Sequence, residues 1–285
     1  MDTETTIRLV AADIFVVSWG TGTPVFVLGG PWLGHYYLRQ FLDELAKEHR
    51  VIAYDPRGSG RSSRLTENEI NLQGHLDDLE GLRRGLSIDK MNLVGHSMGG
   101  LVSLLYAADH PREMGSLVLL HPGPPFDPQL RKELSRAFSS RFTPEDKATM
   151  QRLSSSALFR AADAKAHQEY FETLYSPFFP DRATLPRLQF GFTSATAQYA
   201  LKAEERLLPE ILAQDPVAKL GRIQCPTLVV HAEHDLIPEA FARFLTGNIP
   251  GSEFVLLEGL GHFGYLEDPG RHVAPTMDFL RRVAK

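Results

Sequence analysis

The segment Gly95-His96-Ser97-Met98-Gly99 sets a serine between two glycines, where the apolar run Met91–Val94 meets the helical pattern Met98–Asp109. On such a strand, turn and helix, the small flanking residues let the backbone bend sharply, and the helix start leaves free N–H groups beside an oxyanion. A serine hydroxyl becomes a nucleophile only when a base takes its proton, so a histidine and an acid must come from elsewhere in the chain. HAEHD supplies Asp235, with Glu233 as a competing acid, and GLGHF supplies His262 between Gly259 and Gly261. These candidates follow the apolar runs Thr227–His231 and Glu253–Leu257, so they join Ser97 past the carboxyl ends of strands, where open α/β sheets carry their sites. The expected roles are Ser97 as nucleophile, His262 as general base and Asp235 as its orienting acid. The blander alternatives are Ser97 as a helix N-cap, Asp235 as the cap of the helix after Pro238, and His262 as an ordinary loop histidine. Acyl transfer also needs oxyanion donors, for which the backbone N–H groups of Met98 and of Gly30, in Gly29-Gly30-Pro31, are the candidates. His231, Glu233 and His234 read H-x-E-H rather than the one-turn H-E-x-x-H, so no metal is expected.

These residues need a sheet to position them. Pro24–Leu28, Val51–Tyr54, Met91–Val94 and Ser116–Leu120 are short runs rich in Val, Ile and Leu, bounded by Gly, Pro, Asp or His, and they read as buried strands. Ile7–Ala11 and Ile14–Trp19 read as an opening hairpin, and Tyr36–Glu48, Leu72–Gly85 and Met98–Asp109 as helices between the strands. After His121 five punctuating residues, Pro122 to Pro125 and Pro128, precede a stretch with helical patches at Pro128–Ser139 and Ala161–Leu174 and no strand. Strand signals then return, followed by helical patterns at Pro238–Leu245 and Gly270–Val283. The expected architecture is a mostly parallel, doubly wound α/β sheet from residues 1–122 and 216–285, with a helical cap over 123–215.

Composition narrows the partners. The chain has 285 residues, 43% hydrophobic and 23% charged, as expected of a globular enzyme-sized domain rather than a disordered or disulfide-stapled chain. A net charge of −5 without a basic block argues against nucleic acid. No run approaches the ~18 apolar residues of a membrane span, and the start lacks a basic leader segment, so no membrane partner and a cytoplasmic location are expected. The single cysteine, Cys225, can form no internal disulfide and reads as a small apolar residue entering a strand.

With these residues placed, the chain resembles the α/β-hydrolase superfamily, whose triad falls on Ser97, Asp235 and His262. GGPWLGHYYL at 29–38 is similar to the H-G-G-P-G-x-x-H-D-Y-L segment of the proline iminopeptidase group, and YDPRGSGRSS at 54–63 to its D-Q-R-G-x-G-R-S. Gly29, Gly30, Pro31, His35, Tyr37 and Leu38 agree with the first pattern; Leu28, Trp32 and Tyr36 depart from it. Because that loop borders the acyl pocket in the group, Trp32 in place of glycine reshapes the site. The resemblance implies an acid in the cap that binds a substrate ammonium, with Glu169 and Glu172 in QEYFETLY as candidates beside plain surface carboxylates. It leaves His96 and Trp32 either lining the acyl pocket or filling space, and makes Arg57 and Arg61 braces of their loop. Phe126, Phe159, Tyr170, Phe178 and Phe179 suggest an apolar roof. The reading is a cofactor-free serine hydrolase of small-molecule esters or related acyl bonds, taking a small-molecule or short-peptide substrate. A proline-iminopeptidase-like aminopeptidase is the alternative, followed by a C–C bond hydrolase or a ligand receptor without turnover. A serine at the elbow, where related dehalogenases and epoxide hydrolases carry aspartate, argues against those chemistries.

Overall fold

A computed structural model describes residues 3–66 and 69–284. The alternation of apolar runs and amphipathic helices produces one eight-stranded sheet, in the order β1-β2-β4-β3-β5-β6-β7-β8. Its strands are β1 (Thr3–Arg8), β2 (Asp13–Trp19), β3 (Pro24–Leu28), β4 (Arg50–Tyr54), β5 (Met91–His96), β6 (Met114–Leu120), β7 (Thr227–Ala232) and β8 (Glu253–Leu257). β1 and β2 are antiparallel neighbours, β2 runs antiparallel to β4, and every later pairing is parallel. β5 and β7 are buried along their whole length, as strands covered on both faces must be, which explains the consecutive apolar residues at their centres, Leu93-Val94 and Leu228-Val229-Val230.

Helices α1 (Arg39–Leu45), α2 (Leu72–Gly85) and α3 (Met98–Asp109) lie between strands in the first half. α3 is buried from Met98 to Ala108, so it packs against the sheet with hydrophobic side chains all round. Between β6 and β7 the chain forms α4 (Pro128–Arg141), α5 (Pro144–Ser154), α6 (Ala157–Arg160), α7 (Ala164–Tyr175), α8 (Ser194–Leu212) and the short α9 (Pro216–Leu220). α10 (Glu239–Asn248), α11 (Gly264–Glu267) and α12 (Pro269–Val283) complete the chain. No helix among the described residues is long and apolar enough to cross a membrane.

Two elements differ from the sequence expectation. The first strand lies at Thr3–Arg8 rather than Ile7–Ala11, leaving Val10 fully exposed in the turn. As an edge strand with little buried surface, β1 is held by Thr-rich β propensity and by pairing with β2, and has no apolar run to mark it. The helix expected over Tyr36–Glu48 divides into a 3-10 turn at His35–Leu38 and α1.

Candidate active site

β5 ends at His96 and α3 begins at Met98, so Ser97 must reverse the chain within one residue. Its φ of 55° and ψ of −122° lie where an L residue is strained, a conformation that costs about 1–3 kcal/mol and persists only when its surroundings enforce it. The two glycines make that turn possible. A Cβ on Gly95 would stand 2.4 Å from Ser103 Oγ, and one on Gly99 2.2 Å from the carbonyl oxygen of Gly29. Ser97 occupies the N-cap position of α3 but makes no side-chain capping bond, so its hydroxyl is not spent on the helix.

Asp235 and His262 come together from the loops after β7 and β8. Asp235 Oδ2 accepts a hydrogen bond from His262 Nδ1 at 2.8 Å, and Oδ1 accepts the Ile237 N–H at 2.9 Å. Burial pushes this carboxyl's pKa up, but the adjoining His262 and the hydrogen bonds outweigh it and hold the group below the usual carboxylate range. Glu233 is turned elsewhere: its exposed carboxylate accepts the Gly259 N–H at 2.7 Å and fastens the histidine loop from outside. The ligand atoms of His121, His231 and Asp235 lie within 4.8 Å of one another, the one grouping among the described residues able to hold a cation. Both Asp235 oxygens already accept hydrogen bonds, so a cation there would compete with His262.

Behind Ser97 runs a buried hydrogen-bonded chain. The His262 carbonyl can only accept, so His96 Nε2 donates to it at 3.1 Å, and His96 Nδ1 is left to accept the Tyr37 hydroxyl at 3.2 Å. The same hydroxyl accepts the Gly30 N–H at 2.8 Å. Burial, reinforced by the neighbouring His262, keeps the His96 imidazole neutral. Gly30 is thus committed to Tyr37 in this structure, whereas the Met98 N–H opens α3 and has no helical acceptor within reach. Gly30, Trp32, His96, Ser97, Met98 and His262 all border one cavity of about 20 Å³; no hydrogen bond joins Ser97 to His262 across it.

A larger cavity of about 360 Å³ opens from Ser97 and Met98 and is walled by side chains including Trp32, Phe138 of α4, Phe178 and Leu208 of α8. Trp32 borders both cavities, and its buried indole N–H has no partner among the described residues. Of the aromatic residues expected to form a roof, Phe178 lines the pocket and packs 4.6 Å from the His262 ring, centroid to centroid. The others serve packing: Phe126 meets Phe241, Phe159 stacks on His167 with Tyr170 against it, and Phe179 stacks on Phe263. Glu169 is not brought to the site. Its half-exposed carboxylate pairs with Arg152 at 2.6 Å, and Glu172 is held by Gln168 and Gln189. Neither lines either cavity.

The two sequence blocks at 29–38 and 54–63 meet through Asp55. Its carboxylate accepts the His35 backbone N–H at 2.9 Å, contacts His35 Nδ1 at 2.7 Å and accepts the Arg61 N–H at 2.8 Å. Arg57 makes a bidentate pair with Asp78 of α2, both bonds 2.7 Å and both residues buried. Tyr37 and Asp55 are the structurally informative residues that spacing alone did not single out; their signal lay in the paired blocks.

The profile of the alpha/beta hydrolase fold family matches residues 23–269. Among curated proteins, a proline iminopeptidase from Lactobacillus helveticus (strain DPC 4571) is 29% identical over 269 residues, covering 90% of this chain and 88% of that protein. A putative carbamate hydrolase RutD from Klebsiella pneumoniae (strain 342) is 29% identical over 249 residues, covering 85% of each. Among solved structures, a proline iminopeptidase-related protein from Thermus thermophilus superposes with a TM-score of 0.75 at 20% identity, covering 100% of this chain and 99% of that one.

Proposed function

Since the chain belongs to the alpha/beta hydrolase fold family and is a hydrolase, we propose that it cleaves a small-molecule ester or related acyl bond through Ser97, His262 and Asp235. The observation that carries this reading is the strained Ser97, free of any capping role, sharing a cavity with His262, whose Nδ1 donates to buried Asp235. In this mechanism His262 Nε2 takes the Ser97 proton as Oγ attacks the carbonyl carbon. The tetrahedral oxyanion is held by the Met98 N–H and by the Gly30 N–H, which exchanges its Tyr37 partner for the oxyanion. Collapse breaks the bond to the leaving group, which receives the proton from His262. Water then repeats the sequence on the acyl-enzyme, releasing the acid and restoring Ser97. Helices from the segment between β6 and β7 wall the pocket, so this cap, taken as 123–215, sets which acyl or leaving group fits.

An aminopeptidase is the second reading, favoured by the similarity to the Lactobacillus proline iminopeptidase. A free substrate ammonium would need a carboxylate partner, and no acidic side chain is among the described residues lining the pocket. That favours the ester. The deciding experiment compares wild type and Ser97→Ala on a short-chain p-nitrophenyl ester and on proline-p-nitroanilide. Serine-dependent ester cleavage with little anilide cleavage is expected; serine-dependent anilide cleavage establishes the peptidase instead, and rates unchanged in Ser97→Ala remove the mechanism.

A further inference from the structure

The larger cavity has no acidic side chain among the described residues that line it. Beside the hydroxyl-bearing Ser97, Ser135 and Tyr175 and the indole of Trp32, the lining contains one ionised side chain, Arg131, among the described residues. Arg131 lies in the first turn of α4 and shares a face of that helix with Leu134, Ser135 and Phe138, all of which line the pocket at helical spacing. Its Nη1 donates to the backbone carbonyls of Pro125, at 3.2 Å, and Phe126, which fix the guanidinium in place without neutralising it.

No carboxylate among the described residues pairs with Arg131. Glu133, the nearest acid along the chain, is exposed and accepts from Gln129 Nε2 at 3.2 Å, and Asp127 is exposed and caps α4 by accepting the N–H groups of Gln129 and Leu130. The helix adds to the charge imbalance, because a cation in the first turn sits at the positive end of the helix dipole. A half-buried guanidinium on an apolar wall has lost water and gained only two carbonyl partners, and its remaining N–H groups keep the planar fork that suits a carboxylate.

We propose that Arg131 forms an anion subsite of the acyl pocket, so that the substrate is an ester or lactone carrying a carboxylate at the far end of a short apolar chain. This rests on the hydrolase reading above and narrows its substrate class. The scissile carbonyl lies at Ser97, the apolar chain runs between Trp32, Phe138 and Leu208, and the carboxylate accepts from the Arg131 fork. A pocket of this polarity repels the free ammonium of an N-terminal peptide substrate, so the subsite also separates this chain's specificity from that of a proline iminopeptidase.

The test uses matched pairs of ethyl esters followed by pH-stat: monoethyl hemi-esters of the dicarboxylic acids from succinate to suberate, and the neutral ethyl esters of the same acyl length. Wild type is expected to favour one hemi-ester length over its neutral partner by about tenfold or more in kcat/KM, most of it in KM, as fits a hydrogen-bonded ion pair in a partly dry pocket. Arg131→Gln should lower that preference by about tenfold, and Arg131→Lys, which keeps the charge but not the fork, should fall between. Wild type that turns over neutral esters as well as every hemi-ester overturns the subsite and leaves the hydrolase standing. So does a preference for hemi-esters that survives Arg131→Gln. Ser97→Ala run beside them separates the two levels: esters cleaved at the wild-type rate by that variant dismiss the hydrolase reading itself.

Discussion

Substituting Gly99 by alanine tests whether the position of the loop after β3 controls the rate. The added Cβ would lie 2.2 Å from the Gly29 carbonyl oxygen, 2.6 Å from that of Leu28 and 2.8 Å from the Gly29 carbonyl carbon. All three are backbone atoms, so no side-chain rotation relieves the clash, and the loop or the start of α3 must retreat by about 1 Å to reach a tolerable contact. The candidate oxyanion donors sit on the two surfaces pushed apart: Gly30 follows Gly29, and Met98 precedes Gly99. A misplacement of about 1 Å in such groups costs roughly 10²-fold in rate, while the overpacking itself costs about 1–3 kcal/mol of stability. The assay is kcat on p-nitrophenyl butyrate, with thermal melts to show that the variant is folded. Gly247→Ala on α10, where nothing lies within 4 Å of the added methyl, is the control. A folded Gly99→Ala enzyme with kcat within about threefold of wild type would refute the argument that this contact places the donors.

Asp235→Asn should lower kcat by about 10³–10⁴-fold with little change in melting temperature. The amide oxygen can still accept the Ile237 N–H, but the NH₂ group then faces His262 Nδ1 and forces the proton onto Nε2, where it blocks acceptance from Ser97. Activity within about tenfold of wild type would show that another residue orients the base. A second prediction concerns acid stability. Burial holds the His75 and His272 imidazoles at a pKa of about 3, against 6.5 for a free histidine, with Arg57 and His262 respectively contributing in the same direction. Below pH 6.5 the unfolded chain therefore takes up protons that the folded one refuses, and stability falls as pH drops toward 3. Each site removes about 2 kcal/mol by pH 5. In urea titrations at pH 8 and pH 5, His75→Leu should lose less stability on acidification than wild type by that amount, and an unchanged difference would contradict the assignment.

The elbow was legible in the sequence because its constraints are local: two glycines at fixed offsets from Ser97, a short apolar run before it and a helical pattern after it. The strands Pro24–Leu28 and Glu253–Leu257 were readable for the same reason, being short apolar runs with breakers at their ends. What escaped was set by distance in the chain or by weak amphipathicity. Position past the strand favoured Asp235 over Glu233, but only the fold shows one turned inward to His262 and the other outward to Gly259. Glu169 looked available for a ligand because Arg152, which pairs with it, stands on a different helix. Arg131 drew no attention in the sequence, since α4 buries none of its residues and the cavity beneath it exists only once α8 and the turn at Phe178 close the other walls.

The bond from His96 to His262 runs to the histidine's main chain and leaves its ring free of that contact. The loop carrying His262 is thereby pinned at its backbone, while the imidazole is held at one nitrogen by Asp235. With Nδ1 on Asp235 and the ring packed against Phe178, the proposed base keeps Nε2 as its one nitrogen for both taking and returning a proton, with no need for a loop to open. Any slower motion that gates this site therefore falls to the helices walling the larger cavity.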